Sequence, residues 1–407
     1  MKSPLELIFP WDGPPPASHR PLAVDDETLR DGLQSPSTRQ PSLEEKKEIL
    51  HLLAQLGVAA ADLGMPAAGA RVEEEVVALA SEITQHRLPL SPNCAVRALE
   101  RDVSTLARLS QQAGLALEAM LFLGFSALRR EVEGWSRDHL LRKVEATVSL
   151  GRREGLPVTF VAEDASRTAP NDLAAVLLAA CRAGATRVCL ADTTGCLTPL
   201  GAQRLASFSR QLLDQHGFAT VGLDWHGHND RGLAGACALA AAQGGADRLH
   251  GSVLGVGERT GNAPTEQLLV NLWLMGFPVG RIENLRAAVE RIAQLLGVSV
   301  PPNAPAVGHD AFRTATGVHA SAILKAKEQG RWDLAEWVYA PFPPSAVGGL
   351  LEVEVGPYSG AANVRHWLWT HGWPLKPQLV RRILEVAKSR SQPLTDEELE
   401  ALARQLA

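Results

Sequence analysis

The segment VTFVAEDASRTAPNDLAAVLLAACRAGATRVCLAD, residues 158–192, holds a complete strand–helix–strand unit. Val158–Glu163 is a short apolar run that predicts a strand, and Asp172–Arg182 carries apolar residues at the i, i+3, i+4 spacing of a helix. Arg187–Asp192 reads as a second strand. Both strands are apolar almost throughout rather than alternating, as expected of parallel strands covered on two sides.

Outward from this segment the same unit recurs. Strands are predicted at Leu22–Glu27, Ala59–Met65, Leu90–Ala95 and Leu117–Leu123 before it, and at Val221–His226 and Arg248–Leu254 after it. Helical spacing fills intervals such as Leu43–Leu56, Val72–Ile83 and Asp138–Arg153. Eight strand–helix alternations in about 250 residues close naturally into a (βα)₈ TIM barrel. An open doubly wound sheet usually carries a glycine-rich phosphate turn after its first strand. Here that place holds Thr28-Leu29-Arg30-Asp31-Gly32. The expected fold is α/β, with the barrel at 22–278 after a proline-rich arm at 1–21. A linker helix and a smaller mixed α/β C-terminal module are expected at 279–407. In that region Ile282–Leu296 predicts one amphipathic helix, Val318–Glu328 another, and LEVEV at 351–355 a strand.

Composition narrows the function. A net charge of −5 over 407 residues argues against nucleic-acid binding, which calls for a basic face. No apolar run approaches the ~18 residues needed to cross a bilayer, and the N-terminus lacks a signal-peptide pattern. Neither a nucleic acid nor a membrane is an expected partner. Five cysteines without a C-x-x-C pair indicate neither a disulfide framework nor a structural zinc site, and suit a reducing cytoplasm.

In a barrel of this kind the reacting groups gather where strands end. Strand ends here supply Arg30-Asp31, Glu163-Asp164, Asp192-Thr193 and His226-Gly227-His228, and the last strand runs into a glycine loop ending at Asn262. Residues i and i+2 of an extended chain project to one side, so His226 and His228 can reach one ion. Asp31 from another strand end adds a carboxylate, and Asn262 could add a fourth oxygen. Two imidazoles and a carboxylate leave positions open for water or substrate. Other residues keep two readings. Arg30 is either an ion-pair partner of Asp31 or a planar fork for a substrate carboxylate. Thr193 is either a β-branched strand residue or a hydroxyl donor to that carboxylate. Glu163 is either a capping or ion-paired carboxylate or an acid/base group. Glu258-Arg259 reads as an internal ion pair bracing the glycine loop.

Five ordered motifs carry a resemblance: DETLRDGLQSP (26–36), VAEDASR (161–167), ADTTGCLTP (191–199), WHGHNDRGLA (225–234) and GVGERTGNAPTE (255–266). Together they resemble the DRE-TIM metallolyase superfamily over roughly residues 22–360, and within it the 2-isopropylmalate synthase and homocitrate synthase branch. GMPAAGARVEEEV at 64–76 is similar to the second-strand region of homocitrate synthases. The resemblance implies a metal-dependent acyltransferase of amino-acid biosynthesis that condenses acetyl-CoA with a 2-oxo acid and releases CoA. It implies that Asp31, His226 and His228 bind a divalent cation (Mg, Mn, Zn or Co), that Arg30 and Thr193 hold the oxo-acid carboxylate, and that Glu163 serves acid/base chemistry. It further implies that His319 and Tyr339, in the appended module, reach the active site of the neighbouring subunit of a homodimer. A base among Glu163, His319 and Tyr339 would take the methyl proton of the acyl-CoA.

The chain departs from the family at two places. Thr314 stands where many members have His, and Gly227 where they have Thr or Cys. The residues after Gly360 are too few for the leucine-binding regulatory domain of long isopropylmalate synthases, so feedback inhibition by that route is not expected. Homocitrate synthase and citramalate synthase activities are alternatives within the branch. A hydroxymethylglutaryl-CoA lyase-type enzyme is a further alternative, although that branch uses a cysteine in the strand-eight loop and residues 251–262 contain none. A non-catalytic relative should have lost ligands, and here every one is present.

Overall fold

Strand β1 (Ala23–Asp26) pairs in parallel with β2 (Ala60–Asp62) on one side and with β8 (Arg248–Gly251) on the other, and so closes the sheet. Between them β3 (Ser91–Arg97), β4 (Glu118–Gly124), β5 (Val158–Glu163), β6 (Arg187–Asp192) and β7 (Gly222–Gly227) follow in chain order. The structure is a computed structural model that describes residues 2–11, 13 and 22–406. The barrel is the expected one, and the open-sheet alternative is excluded by the β1–β8 pairing.

Helices cover the outside: α1 (Leu43–Gln55), α2 (Ala70–Gln85), α3 (Glu100–Ala113), α4 (Ala127–Glu133), α5 (Arg137–Arg153), α6 (Pro170–Arg182), α7 (Pro199–Gln215), α8 (Ala234–Gln243) and α9 (Thr265–Leu274). Their starts follow ordinary capping chemistry. Ser42 Oγ accepts from the Glu45 amide while the Glu45 carboxylate accepts from the Ser42 amide, a reciprocal box that opens α1. The short α4 is cut out of the β4–β5 connection by the Ser126 cap and by Gly134 in the left-handed conformation.

Alternation along each strand sorts the side chains. One set, including Leu121, Phe160, Val188, Leu190, Leu223, Trp225 and Leu249, is fully buried between sheet and helices. The other set points into the barrel and is far more polar than the sequence pattern suggests. At the floor Arg248 lies 2.8 Å from Glu118 Oε2 and 2.5 Å from Asp224 Oδ2. Asn93 donates to both oxygens of Asp25, and Arg187 donates to Asp224 at 2.7 Å and pairs with Asp247. A typical barrel fills this space with branched apolar residues. This one fills it with a paired ionic network.

Strand β8 ends earlier than expected, at Gly251 rather than Leu254. Beyond it Ser252 donates to the Val256 carbonyl and Leu254 takes a left-handed φ of 56°, so the chain leaves the ladder to form a loop over the barrel mouth. The segment expected as one helix at 282–296 is a 3₁₀ turn, Ile282–Asn284, running into α10 (Leu285–Leu296).

The chain divides into two compact units. The barrel unit ends at Arg281 and includes Ala288–Ser299, so the division falls inside α10. The other unit comprises Ile282–Ala287 and Val300 onward together with the first residues of the chain. It contains a two-stranded parallel pair, β9 (Arg313–Thr314) and β10 (Glu352–Val353), and helices α11 (Gly317–Glu328), α12 (Trp332–Trp337), α13 (Ala361–Thr370), α14 (Pro377–Lys388) and α15 (Asp396–Leu406). It has a core of its own, with Val364, Trp367, Leu368, Leu379, Ile383 and Leu399 buried together. Of the arm expected at 1–21, residues 1, 12 and 14–21 lie outside the described residues. The described part contains a 3₁₀ turn, Pro4–Leu7, and the Lys2 carbonyl accepts from Arg331 at 2.8 Å. Among the described residues no helix is long and apolar enough to cross a membrane.

Candidate active site

Asp31, His226 and His228 converge. Each offers a ligand atom, and these atoms lie within 4.8 Å of one another in a buried cluster. The contacts of the two imidazole rings say which nitrogens are free to bind. His226 Nδ1 lies 3.2 Å from the Glu27 carboxylate, and His228 Nδ1 lies 3.1 Å from the Gly261 carbonyl. The Gly261 carbonyl is an acceptor, so His228 Nδ1 carries the hydrogen and its Nε2 a lone pair, and the negative carboxylate beside His226 Nδ1 favours the same tautomer there. Those two Nε2 atoms stand 3.3 Å apart, with Asp31 Oδ2 3.9 Å from the nearer one. Burial and then the charge of Arg30 hold His226 down to about 3; burial and His226 itself hold His228 down to about 4. Protonation does not relieve the facing lone pairs.

The cluster suits a divalent cation on its own chemistry. Two neutral nitrogens and a carboxylate form a familiar catalytic ligand set, with the His228 ring held by its hydrogen bond to Gly261 and the His226 ring backed by the Glu27 carboxylate. Burial pushes the Asp31 carboxyl up, but Arg30 and the two imidazoles outweigh it and hold it below the usual carboxylate range. Asn262 donates from Nδ2 to Asp31 Oδ1 at 2.9 Å and to the Val256 carbonyl at 3.2 Å. Its Oδ1 is buried without a hydrogen-bond partner among the described residues. Such an oxygen is costly to leave unpaired, and a cation is one thing that would pair it. Glu27, His226 and His250 also lie close enough to hold an ion. In that set, however, His250 already meets Glu27 at 2.8 Å and Asp224 at 3.3 Å, so its nitrogens are engaged.

Around the cluster opens a cavity of about 260 Å³ lined by Arg30, Glu163 and Thr193 as well as the three residues above. Arg30 is more than a partner of Asp31. Its guanidinium donates to Asp31 at 2.8 Å, to Asp62 at 3.0 Å and to Glu27, which leaves two of its five N–H groups uncommitted. Thr193 Oγ1 accepts from the Asp164 amide at 2.8 Å, so its own hydrogen remains to donate. Glu163 is raised by burial and partly offset by Arg129, whose Nε lies 3.2 Å away. Asp62 is pushed up to about 6 by burial despite Arg30.

The loop after β8 is built against the cluster. The Glu258 amide donates to Asp31 Oδ1 at 3.1 Å. A side chain at Gly257 would collide with Asp31 and Asn262, and Gly261, at φ +82°, lies against the Gly255 carbonyl. Arg259 has a left-handed φ of 57°. That geometry corrects the expected Glu258–Arg259 pair: Arg259 turns away to Asp230 at 2.9 Å and to the Thr193 carbonyl at 2.6 Å. Glu27, Asp62, Arg129 and His250 were not anticipated. Glu27 stands inside the quoted DETLRDG motif two residues beyond Asp25, and His250 two beyond Arg248. In each pair the i, i+2 spacing puts both members on the inward face, and that spacing was the available signal.

His319 and Tyr339 belong to the second unit. There their rings stack with centroids 3.7 Å apart, and Thr314 Oγ1 lies 3.1 Å from His319 Nδ1. Thr314, the position at which the chain departs from the family pattern, therefore touches His319.

Comparison with known proteins places the chain in a class. The profile of the HMGL-like family matches residues 22–292, and the chain belongs to that family, as the DRE-TIM motifs imply. It is 31% identical over 388 residues to homocitrate synthase AksA of Methanopyrus kandleri, covering 94% of this chain and 92% of that one. It is also 31% identical to a probable 2-isopropylmalate synthase of Ignicoccus hospitalis over 374 residues, covering 90% and 87%. Among solved structures it superposes on the Bacillus subtilis HMG-CoA lyase with a TM-score of 0.59 and 20% identity, over 71% of this chain and 97% of that one, a likeness of fold. Members of this family use a divalent metal, and the buried histidine–carboxylate clusters give this chain candidate metal sites.

Proposed function

We propose that this chain is a synthase that condenses acetyl-CoA with a 2-oxo acid and releases CoA, with Asp31, His226 and His228 holding the cation and Asn262 Oδ1 completing the set. One observation carries the reading: two oriented imidazole lone pairs 3.3 Å apart meet a carboxylate inside a cavity that also holds Arg30, Thr193 and Glu163. Relatives named homocitrate synthase and 2-isopropylmalate synthase, matched along most of the chain, favour the synthase over the lyase alternative. The lyases among the solved structures share the fold at 20% identity and carry less weight.

When bound, the cation supplies Lewis-acid polarisation of the ketone carbonyl. Arg30 offers its two free N–H groups and Thr193 its hydroxyl hydrogen, and together they orient the substrate carboxylate. Glu163, its carboxyl raised by burial, takes the methyl proton of the acyl group as a carboxylate; the resulting carbanion bonds the ketone carbon, and water then cleaves the thioester to release CoA. Arg129 keeps that carboxyl in place from outside the cavity. His319 and Tyr339 serve the site of the neighbouring copy in a homodimer. Mg, Mn, Zn and Co all suit a set of two nitrogens and oxygens. The five cysteines are all free, in keeping with a cytoplasmic enzyme.

The test is free-thiol release followed with a thiol reagent. CoA should appear only when acetyl-CoA, a 2-oxo acid and a divalent cation are all present. Thiol release that is indifferent to the 2-oxo acid, or cleavage of hydroxymethylglutaryl-CoA in its place, would overturn the proposal.

A further inference from the structure

The cavity has two unlike walls. Strands β7, β8 and β1, with the residues just past β1, present the histidines, Asp31, Glu27 and Arg30. The opposite arc, β3 to β6, presents Ala95, Met120, Phe122, Val161, Cys189 and Ala191. That arc is continuous, because Ala95 is paired with Met120, Phe122 with Val161, and Val161 with Cys189 across adjacent strands. Burial holds the Cys189 thiol well above its ordinary range, so it stands there as a small neutral group. Among the described residues Arg30 is the only arginine or lysine lining the cavity, against the carboxylates of Glu27, Asp31, Asp62, Glu163 and Glu258. Arg97, on β3 two residues beyond Ala95 and in register with Phe122, is already paired with Asp102, and Arg129 lies against Glu133 and Glu163.

Resting on the condensation reading, we propose that the 2-oxo acid of this site carries one carboxylate and an uncharged alkyl tail. The charged wall takes the oxo-acid head and the β3–β6 arc takes the tail. A second carboxylate at the far end would enter an apolar wall where no described cation stands unpaired to meet it, with Glu163 and Asp62 near, which is a heavily penalised burial. The two alanines leave room for a tail larger than a methyl group, and each methylene packed on an apolar wall is worth roughly tenfold or more in selectivity.

The experiment compares 2-oxoisovalerate, pyruvate and 2-oxoglutarate on the full chain with Mn²⁺, by CoA release and by calorimetric binding without acetyl-CoA. The expected order in kcat/KM is 2-oxoisovalerate above pyruvate by roughly tenfold and above 2-oxoglutarate by roughly a hundredfold or more. Calorimetry should rank them alike. Ala95→Leu, which fills the apolar arc, should shift the preference toward pyruvate by roughly tenfold; Ala95→Val does so more mildly if the larger residue impairs folding. A uniform loss for every acid would take the tail away from this wall. Equal or better use of 2-oxoglutarate would overturn the inference while leaving the condensation intact. No CoA release from any acid, together with binding of 2-oxoisovalerate in preference to 2-oxoglutarate, would overturn the reaction and leave the pocket assignment standing. No binding of any acid would overturn both.

Discussion

The floor and the mouth of this barrel are both buried and both crowded with ionisable groups, yet their hydrogen bonding differs in kind. At the floor every charge has a partner of opposite sign: Arg248 with Glu118 and Asp224, Arg187 with Asp224 and Asp247. At the mouth two imidazole lone pairs face each other and the Asn262 oxygen lacks a partner among the described residues. Asn93 Oδ1 at the floor also lacks a partner among the described residues, but the floor's charges are paired and brace the fold, whereas the ligand atoms of the mouth are arranged for something that arrives later. The two are joined through His250, which touches Asp224 below and Glu27 above, and Glu27 in turn touches His226. The floor thus sets the angle of a ring at the mouth.

The largest effect should follow removal of a mouth residue. His226→Ala deletes one of the facing lone pairs, so turnover should fall by roughly a thousandfold or more, the range seen when a catalytic stabilising group is lost. The folded chain should tolerate the change, because the cation-free cluster is electrostatically poor to begin with. Thermal melts with and without Mn²⁺ test this directly. Cation should raise the melting temperature of the parent, as any ligand of the native state does, and leave that of His226→Ala unmoved. An unchanged cation response in the variant would break the contrast between mouth and floor.

A floor residue should do the reverse. Arg248→Met keeps most of the side-chain volume but leaves Glu118 without its cation and Asp224 with Arg187 alone, and breaking a buried network in this way costs about 3–5 kcal/mol. Denaturant titration reads that loss, and the variant's cation response, where it remains folded, should persist. A loss below about 1 kcal/mol, the scale of an exposed pair, would mean that the floor is solvated rather than braced.

How much of this was legible differs in the same way. The barrel followed from periodicity because its helix-facing side chains, such as Phe160, Leu190 and Trp225, carry the apolar signal. The H-x-H pair was legible because an i, i+2 spacing survives any uncertainty in strand ends. The polar interior was not. Glu118, Asp224 and Arg248 sit in strands whose overall apolarity conceals the alternating set, and Arg248 and Glu118 alone lie 130 residues apart. Adjacency suggests that Arg259 pairs with its neighbour Glu258. Its left-handed backbone sends it to Asp230 instead, and no spacing rule foresees that turn.

A third kind of buried charge sharpens the comparison with the smallest expected effect. Glu266, on α9, is fully buried, and its carboxyl is pushed up to about 7 by burial, only partly offset by the Leu254 amide that it accepts at 2.9 Å. It has neither the cation of the floor nor the lone-pair opposition of the mouth, and it is at ease only as a neutral acid. The raised folded-state pKa means that its stabilising contribution is complete below the ordinary carboxyl value near 4.5 and is lost as pH rises toward 7. Glu266→Gln keeps an oxygen for the Leu254 amide and removes the ionisation. The variant should match the parent near pH 4 and gain on it progressively, to at most about 3 kcal/mol at pH 8. Paired denaturation curves at the two pH values read the difference with every other titrating group cancelled. An advantage that stays constant with pH would mean that the carboxyl is not held neutral, and that water or a counter-charge reaches the turn at Leu254.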